Sequence, residues 1–208
     1  MKSGASGLSL SGKRLPSNYE LLVDIERRIP LGMCSSASDD ELPFRMMDDY
    51  CELFALYKEY SCGGRIWLML GLDTSGSDYE DILAIANCLA EKGHEVKVLH
   101  AVHYKDPVYR SVFGELIGTR YYRKCPDLLV DGNYVEYESY TSDLPKNAFR
   151  NMLHNGLAQS DCVIIRQCGL TDGYMIQQIE GQIRNGIPVT SIWIFNGQEV
   201  RPLLDTEG

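Results

Sequence analysis

The sequence predicts an α/β fold, in which a mixed β-sheet with a central β-hairpin and flanking helices follows a helical N-terminal extension. From Arg65 onward, short apolar runs of strand length alternate with segments whose apolar residues recur at helical spacing. Two strand-like runs meet at Asp131-Gly132, a dipeptide typical of tight hairpin turns. From Tyr79 the order is helix, three strands, helix, strand, helix, strand, which favours a mixed sheet.

The composition is that of an ordinary folded protein with one main domain. The chain has 208 residues, which are too few for two full-sized domains. Of these residues 44% are hydrophobic and 24% are charged, as in ordinary globular proteins. We predict a flexible Gly/Ser-rich leader over residues 1–16, a helical extension over residues 17–64 and the α/β domain over residues 65–208. The extension is predicted from apolar residues at helical spacing, the last of them within residues 46–56, and it is a candidate surface for a protein partner.

Each element of the α/β domain has a local signal. Residues 66–72 form an apolar run of strand length, and either Ser77 or Asp78 can cap a helix over residues 79–92. Alternating apolar residues predict a strand over residues 94–102. The later predicted elements are a hairpin over residues 127–139, a helix that follows Leu144-Pro145 and runs through Leu157, a strand over residues 161–166, a helix that begins at Thr171 and is closed by Asn185-Gly186, and a last strand over residues 189–195.

The charge balance restricts the possible partners. Twenty Lys and Arg residues stand against 29 Asp and Glu, a net charge of -9, so any site for a polyanion must be local or assisted by a metal. The longest apolar stretches are far shorter than the roughly 20 residues that cross a bilayer, which predicts no membrane span. No signal-peptide core is visible, and the seven cysteines include no C-x-x-C pair, so we expect a cytoplasmic protein with reduced thiols.

Three carboxylates are predicted to meet on the hairpin. Glu136 and Glu138 share one face of the second strand because side chains alternate with a period of two. An antiparallel partner strand can bring Asp127 alongside Glu136. Three carboxylates suit a hard divalent cation, Mg²⁺ or Mn²⁺, which can activate water for phosphodiester cleavage. The alternative is a solvated hairpin face, because exposed strands often carry glutamate.

The combination of these features resembles the core of the PD-(D/E)XK nucleases, with a restriction-endonuclease-like sheet. Asp127 and Glu136 lie on a predicted hairpin, after a helix that contains Glu80. More narrowly, the segments EDILAIANCLAEKGHEVKVL, CPDLLVDGNYVEYES and NGLAQSDCVIIR resemble the tRNA-nuclease domain at the C-terminus of bacterial contact-dependent inhibition toxins of the CdiA type. The resemblance therefore implies a hydrolase that acts on nucleic acid.

The resemblance covers residues 79–195 and implies roles for single residues. It implies Glu80 as a helix carboxylate near the metal, with Asp127 and Glu136 as metal ligands. The family has a lysine two residues after the last of these, where this chain has Glu138. That lysine stabilises the charge that develops on the phosphate. Its replacement by a glutamate therefore leaves two functions open. One is a metal-dependent nuclease with these four carboxylates as catalytic residues, and the other is an inactive nuclease-fold protein that acts as a binding module.

Residues 104–124 form the most basic stretch of the chain, with tyrosines interleaved among the cations. Cations for phosphates beside aromatic rings for base stacking are what single-stranded nucleic acid requires. The alternative is a solvated loop with packed tyrosines. The candidate nucleic-acid-binding residues are Lys105, Arg110, Arg120, Tyr121, Arg123, Lys124 and, on a later strand, Arg166. The candidates to replace the family's lysine are Lys97, Lys124 and Arg166.

Histidines offer a metal-independent alternative. His100, His103 and His154 titrate near neutral pH and could serve as general acid and base in a ribonuclease. A zinc site is not predicted, because His100 and His103 lie near the end of a strand without the spacing of helical zinc motifs.

Overall fold

One mixed β-sheet runs through the part of the protein that the structure describes. The structure is a computed structural model, and it describes residues 53–139 and 145–205. In this part the strands are β1 (Phe54–Glu59), β2 (Arg65–Met69), β3 (Glu95–Val98), β4 (Leu128–Val130), β5 (Asn133–Glu138), β6 (Cys162–Arg166), β7 (Ser191–Phe195) and β8 (Val200–Asp205). They lie side by side in chain order. Strand β2 is parallel to β3, and β5, β6 and β7 are parallel to one another, whereas the other neighbours are antiparallel.

Helices cover both faces of the sheet. The described helices are α1 (Tyr79–Ala90), α2 (Pro107–Phe113), α3 (Pro145–Leu157) and α4 (Asp172–Arg184), with a short 3-10 turn at Gly114–Leu116. Ile164 of β6 packs in one core with α1, whereas its neighbour Ile165 packs in a second core with α3 and α4. Because adjacent strand residues point to opposite faces, α1 lies on one face and α3 and α4 lie on the other. None of these helices is both long and apolar enough to cross a membrane.

The predicted α/β class and the central hairpin are confirmed. Strands β4 and β5 pair antiparallel around the turn, where Asp131 has φ 48° and Gly132 has φ 89°. Positive φ at both central residues is the geometry of a type I′ turn, which Asp-Gly adopts readily. The five cysteines in the described residues are free thiols.

The first strand corrects the predicted extension. The helix predicted through residue 56 is wrong over its described end, because Phe54–Glu59 is a strand antiparallel to β2. The ladder to β2 supplies hydrogen bonds that an isolated segment lacks, and this tertiary partner outweighs a helical pattern that is short. The sheet therefore begins ahead of residue 65. The predicted leader and the rest of the extension lie outside the described residues.

Two later elements were also missed. Strand β8 follows the strand that was predicted to be the last, and it contains Pro202, a residue that argues against a central strand. Proline is tolerated here because β8 lies at the edge of the sheet, beside an irregularity in its pairing with β7. Within residues 104–124, where no helix was predicted, Asp106 caps α2 by accepting a hydrogen bond from the Val108 N–H at 2.9 Å, and Pro107 occupies the first turn.

Gly64, the residue before β2, tests how closely the start of this strand packs against the end of α1. A Cβ atom added there would lie 1.9 Å from the backbone oxygen of Ala90, so Gly64→Ala must displace the end of α1. We expect this substitution to lower the free energy of unfolding by about 2 kcal/mol, measured by urea denaturation. Gly114→Ala is the matched control because no atom lies within 4 Å of its added Cβ. Equal stability of the two variants would contradict the packing described.

Candidate functional site

Asp127 and Glu136 meet across the hairpin, as the strand periodicity predicts. The ladder pairs Leu128 with Val135, so the next position sets Asp127 opposite Glu136. The backbone N–H of Tyr137 donates to Asp127 Oδ2 at 3.0 Å and holds this carboxylate against β5. The site lies at the carboxyl ends of the parallel strands, which is the usual location of ligand sites in open α/β sheets.

Asp78 joins this group, and sequence reasoning did not place it there. It occupies the residue before α1, but its side chain makes no capping hydrogen bond and instead accepts one from Ser139 Oγ at 2.6 Å. Ser139 directly follows β5, so the bond ties the start of α1 to the hairpin. The charge of Asp78 raises the pKa of both Asp127 and Glu138.

Glu136 is the most buried member of the group. Its side chain is 4% exposed, and its Oε1 accepts a hydrogen bond from Gln159 Nε2. Its Oε2 has no hydrogen-bond partner in residues 53–139 and 145–205. Burial, followed by the charges of Asp127 and Glu138, raises the pKa of Glu136 to about 10. A carboxyl group in this environment is neutral near pH 7 unless a cation compensates its charge.

The two other hairpin carboxylates share this environment. Burial is the largest cause that raises the pKa of Asp127 to about 6, against the Tyr137 N–H bond, which lowers it. Burial, then Asp127 and Asp78, raise the pKa of Glu138 to about 7. Apart from burial, every group that raises these pKa values is another carboxylate.

The group fits a hard divalent cation. Such ions bind carboxylate oxygens, and Glu136 Oε2 is a buried oxygen that lacks any other partner in the described part of the chain. In the same residues, no three His, Cys, Asp or Glu side chains stand together in a geometry that would already hold a metal. Binding would therefore require these carboxylates to move toward the ion. A bound ion would offset the mutual repulsion that raises their pKa values.

The structure does not bring Glu80 to this group. Glu80 is exposed in the first turn of α1, and it is not among the groups that shift the pKa of the hairpin carboxylates. Its neighbour Asp81 turns inward instead. Asp81 accepts a hydrogen bond from Tyr137 Oη at 2.5 Å and forms an ion pair with Arg166. The carboxylate of α1 that contacts the hairpin is therefore that of Asp81.

Of the cations predicted to replace the family's lysine, Arg166 and Lys97 contact other side chains. Arg166 pairs with Asp81, and its guanidinium lies 5.2 Å from the ring centroid of Phe195, in the core that contains α1. Glu138 lies on the other face, where its Cγ would be 3.3 Å from a Cβ added to Gly156 of α3. Lys97 lies 5.4 Å from the centroid of the Phe54 ring, and Lys124 is half-buried.

The basic segment builds a cluster of one cation and two rings ahead of Asp127, in which Tyr122 and Arg123 are exposed and Tyr104 is half-buried. The Arg123 guanidinium lies 4.4 Å from the ring centroid of Tyr104 and 5.3 Å from that of Tyr122. The Tyr109 hydroxyl accepts a hydrogen bond from the Arg123 N–H at 2.8 Å and donates one to a neighbouring carbonyl. We call Tyr104, Tyr122 and Arg123 the aromatic–arginine cluster. Of the other predicted nucleic-acid-binding residues in this segment, Lys105, Arg110 and Arg120 are exposed.

Tyr121 does not fit the stacking role predicted for it. Its side chain is 8% exposed and packs in the core beneath α2 with Phe113 and Leu116. A ring buried in this way cannot stack on a nucleic-acid base. The adjacent Tyr122 is 39% exposed and presents the ring that the segment offers to a ligand.

Two of the three histidines of the metal-independent alternative, His100 and His103, lie in the segment between β3 and α2, and the third lies on α3. His100 follows β3, and burial lowers its pKa. The ring of His103 lies 4.7 Å from that of Tyr104, between centroids, and His154 is exposed on α3. His154 therefore lies on a different element from His100 and His103.

Comparison with known proteins adds no family. No family model, curated protein or solved structure matches this chain significantly. A function for the chain therefore has to be inferred from the geometry of the carboxylates and of the aromatic–arginine cluster.

Proposed function

We propose that the protein is a metal-dependent nuclease that hydrolyses phosphodiester bonds of nucleic acid, with tRNA as the candidate substrate. The observation that carries the proposal is Glu136. It is a buried carboxyl with one unpartnered oxygen in the described structure, and carboxylates are the other ionised groups that raise its pKa. A protein that buries such a group without a ligand loses stability, so the arrangement favours a site for a cation.

Each residue of the site has a role in this proposal. Asp127 and Glu136 are the candidate ligands, held by the Tyr137 N–H and the Gln159 amide, respectively. A divalent cation bound there would lower the pKa of an attacking water and stabilise charge on the phosphate. Glu138, whose pKa is raised to about 7, can accept a proton from water near neutral pH. The glutamate at the lysine position would thus serve as a general base.

The acidic site needs a separate grip on its polyanionic substrate. Carboxylates alone repel phosphates, and the net charge of -9 gives the chain no general attraction for nucleic acid. The aromatic–arginine cluster, with Lys105 beside Tyr104, supplies a cation for phosphates and rings for bases. Its segment leads directly into Asp127, so a strand held by the cluster would pass near the carboxylates. This arrangement favours single-stranded nucleic acid, such as a tRNA loop or end.

The grip can be tested apart from catalysis. We expect Tyr122→Ala and Arg123→Ala each to weaken binding of single-stranded RNA about tenfold, because each removes one stacking or phosphate contact. The measurement is fluorescence anisotropy in EDTA. Arg184→Ala is the control, since this exposed arginine lies on α4 beside Glu180. Affinities that all match the wild type would rule out the cluster as the binding surface.

A second candidate function is a binding module on an inactive nuclease fold. It is favoured by Glu138 at the position of the family's lysine. Incubation of the full chain with tRNA and with single-stranded DNA, in Mg²⁺, Mn²⁺ or EDTA, separates the two functions. Cleavage that requires a metal supports the nuclease. Binding through the aromatic–arginine cluster without cleavage in any metal supports the binding module.

A further inference from the structure

A cavity of about 360 Å³ lies at the end of the central strands where the hairpin turn is found. It is formed by the 3-10 turn and the segment after it, the hairpin turn, and the residues that precede β6 and β7. One lining residue, Gln159, also has a role in the proposed nuclease, because its amide holds Glu136. The polar side chains that matter for its chemistry are Glu115, Tyr121 and Asp161.

Tyr121 brings an unsatisfied hydroxyl to this cavity. Its side chain is 8% exposed, and its Oη has no hydrogen-bond partner within the described ranges. The two neighbouring tyrosines of the same core are satisfied. Tyr134 Oη donates to the Val112 carbonyl at 2.5 Å, and Tyr109 Oη donates to the Lys124 carbonyl at 3.0 Å. A buried hydroxyl without a partner is destabilising, which points to a ligand as the missing partner.

The charge of the lining indicates the class of ligand. Glu115 and Asp161 contribute carboxylates, and no Lys, Arg or His is among the lining residues. Arg120 lies against the ring of Tyr121, 5.5 Å from its centroid, and is not among the lining residues. An anionic ligand would be repelled here, whereas a cation with several N–H donors would match the carboxylates.

The other hydroxyls of the lining are already in use. Ser160 Oγ donates to the Tyr134 carbonyl at 2.7 Å, and Thr119 Oγ1 donates to the Leu116 carbonyl at 2.8 Å. Thr190 Oγ1 donates to Asp161 Oδ2 at 3.1 Å, which holds this carboxylate in the wall of the cavity. The carboxylates of Glu115 and Asp161 and the Tyr121 hydroxyl therefore remain as acceptors for a ligand, beside the amide of Asn133.

We propose that this cavity binds an organic cation that carries a primary ammonium or guanidinium group, with Tyr121, Asp161 and Glu115 accepting its N–H donors. The cation could be a free polyamine, or it could be a lysine or arginine side chain of a partner peptide. The two sources share the chemistry and differ in what surrounds the cationic group. The residues proposed to contact the cation include neither the hairpin carboxylates nor Gln159, the lining residue that holds Glu136.

Calorimetric titration of the full chain, in EDTA and without nucleic acid, tests the proposal. The probes are spermidine and agmatine as free cations, a short glycine-flanked arginine peptide, and 1,4-butanediol as a neutral control. We expect saturable binding of at least one cation and none of the diol. Preference for the free cations would identify a small-molecule site, and preference for the peptide would identify a docking site for a basic side chain.

Three substitutions assign the binding to this cavity. Tyr121→Phe removes only the hydroxyl and is expected to weaken binding about fivefold, and Asp161→Asn about tenfold. Glu115→Gln covers the case in which either of these fails to fold, because Glu115 is exposed. Tyr57→Phe and Glu180→Gln are matched controls at exposed positions on β1 and α4. The proposal is overturned if no cation binds at concentrations up to about 10 mM, or if all three substitutions leave the affinity unchanged.

Discussion

Asp127→Asn is expected to reduce metal-dependent cleavage of tRNA roughly a hundredfold or more, which corresponds to about 3 kcal/mol of lost transition-state stabilisation. Asparagine has nearly the same shape and keeps an oxygen that can accept the Tyr137 N–H bond. It lacks the negative charge that a divalent cation requires. The variant should therefore fold normally and fail in catalysis, which a gel assay with end-labelled tRNA in Mg²⁺, Mn²⁺ or EDTA would measure.

Two control variants distinguish the loss of a site carboxylate from the loss of an exposed carboxylate. Glu180→Gln, an exposed substitution on α4, should keep the wild-type rate. Glu80→Gln should keep most of the activity because Glu80 is exposed and lies apart from the hairpin carboxylates. A loss in Glu80→Gln equal to that in Asp127→Asn would support the arrangement implied by the PD-(D/E)XK resemblance instead. Cleavage by Asp127→Asn at the wild-type rate would contradict the nuclease proposal.

Glu136→Gln is expected to stabilise the metal-free protein by about 2–3 kcal/mol near pH 7. Burial raises the pKa of Glu136 from 4.5 to about 10, so the folded protein keeps a proton that the unfolded chain releases. Glutamine removes this difference in proton binding and keeps the oxygen that accepts the Gln159 amide. Chemical denaturation in EDTA measures the change, with Glu180→Gln as the exposed control. A variant less stable than the wild type would contradict the buried, uncompensated carboxyl.

The same linkage fixes the direction of the pH dependence. The pKa values of Asp127, Glu138 and Glu136 are raised to about 6, 7 and 10, respectively. Above about pH 4 the unfolded chain binds fewer protons than the folded protein, so the stability contributed by these groups is lost progressively as the pH rises toward 10. Glu136→Gln should lose less stability over this range. Mn²⁺ should raise the melting temperature of the wild type near pH 8 and leave that of the variant nearly unchanged.

The strand periodicity correctly predicted that Asp127 and Glu136 lie opposite each other on the hairpin. Asp127, Glu136 and Glu138 were identified because the alternation of side chains and the Asp131-Gly132 turn together fix the register of a hairpin. A two-residue turn leaves little freedom in pairing, so the local sequence was sufficient.

The helix carboxylate could also have been predicted from the residues. Asp81 lies four residues before Ile85, so it falls on the apolar stripe that α1 turns toward the sheet, whereas Glu80 lies off that stripe. The resemblance directed attention to Glu80, and the helical period points to Asp81. The spacing was the more accurate guide to which side chain faces the hairpin.

Other features depend on tertiary structure that a local pattern does not contain. Asp78 reaches the site because the carboxyl ends of β2 and β5 lie on the same side of the sheet. This arrangement follows only from the complete strand order. The adjacent Tyr121 and Tyr122 are chemically identical, and the packing of α2 decides which one is buried. Strand β1 forms because its backbone pairs with that of β2.

Binding of a divalent cation by the carboxylates tests the account most directly. The measurement is a calorimetric titration of Mn²⁺ and Mg²⁺ into the metal-free full chain near pH 8, beside the Asp127→Asn and Glu136→Gln variants. We predict saturable binding to the wild type that either substitution weakens at least tenfold. The absence of binding to the wild type, or equal binding to all three proteins, would contradict the proposed metal centre.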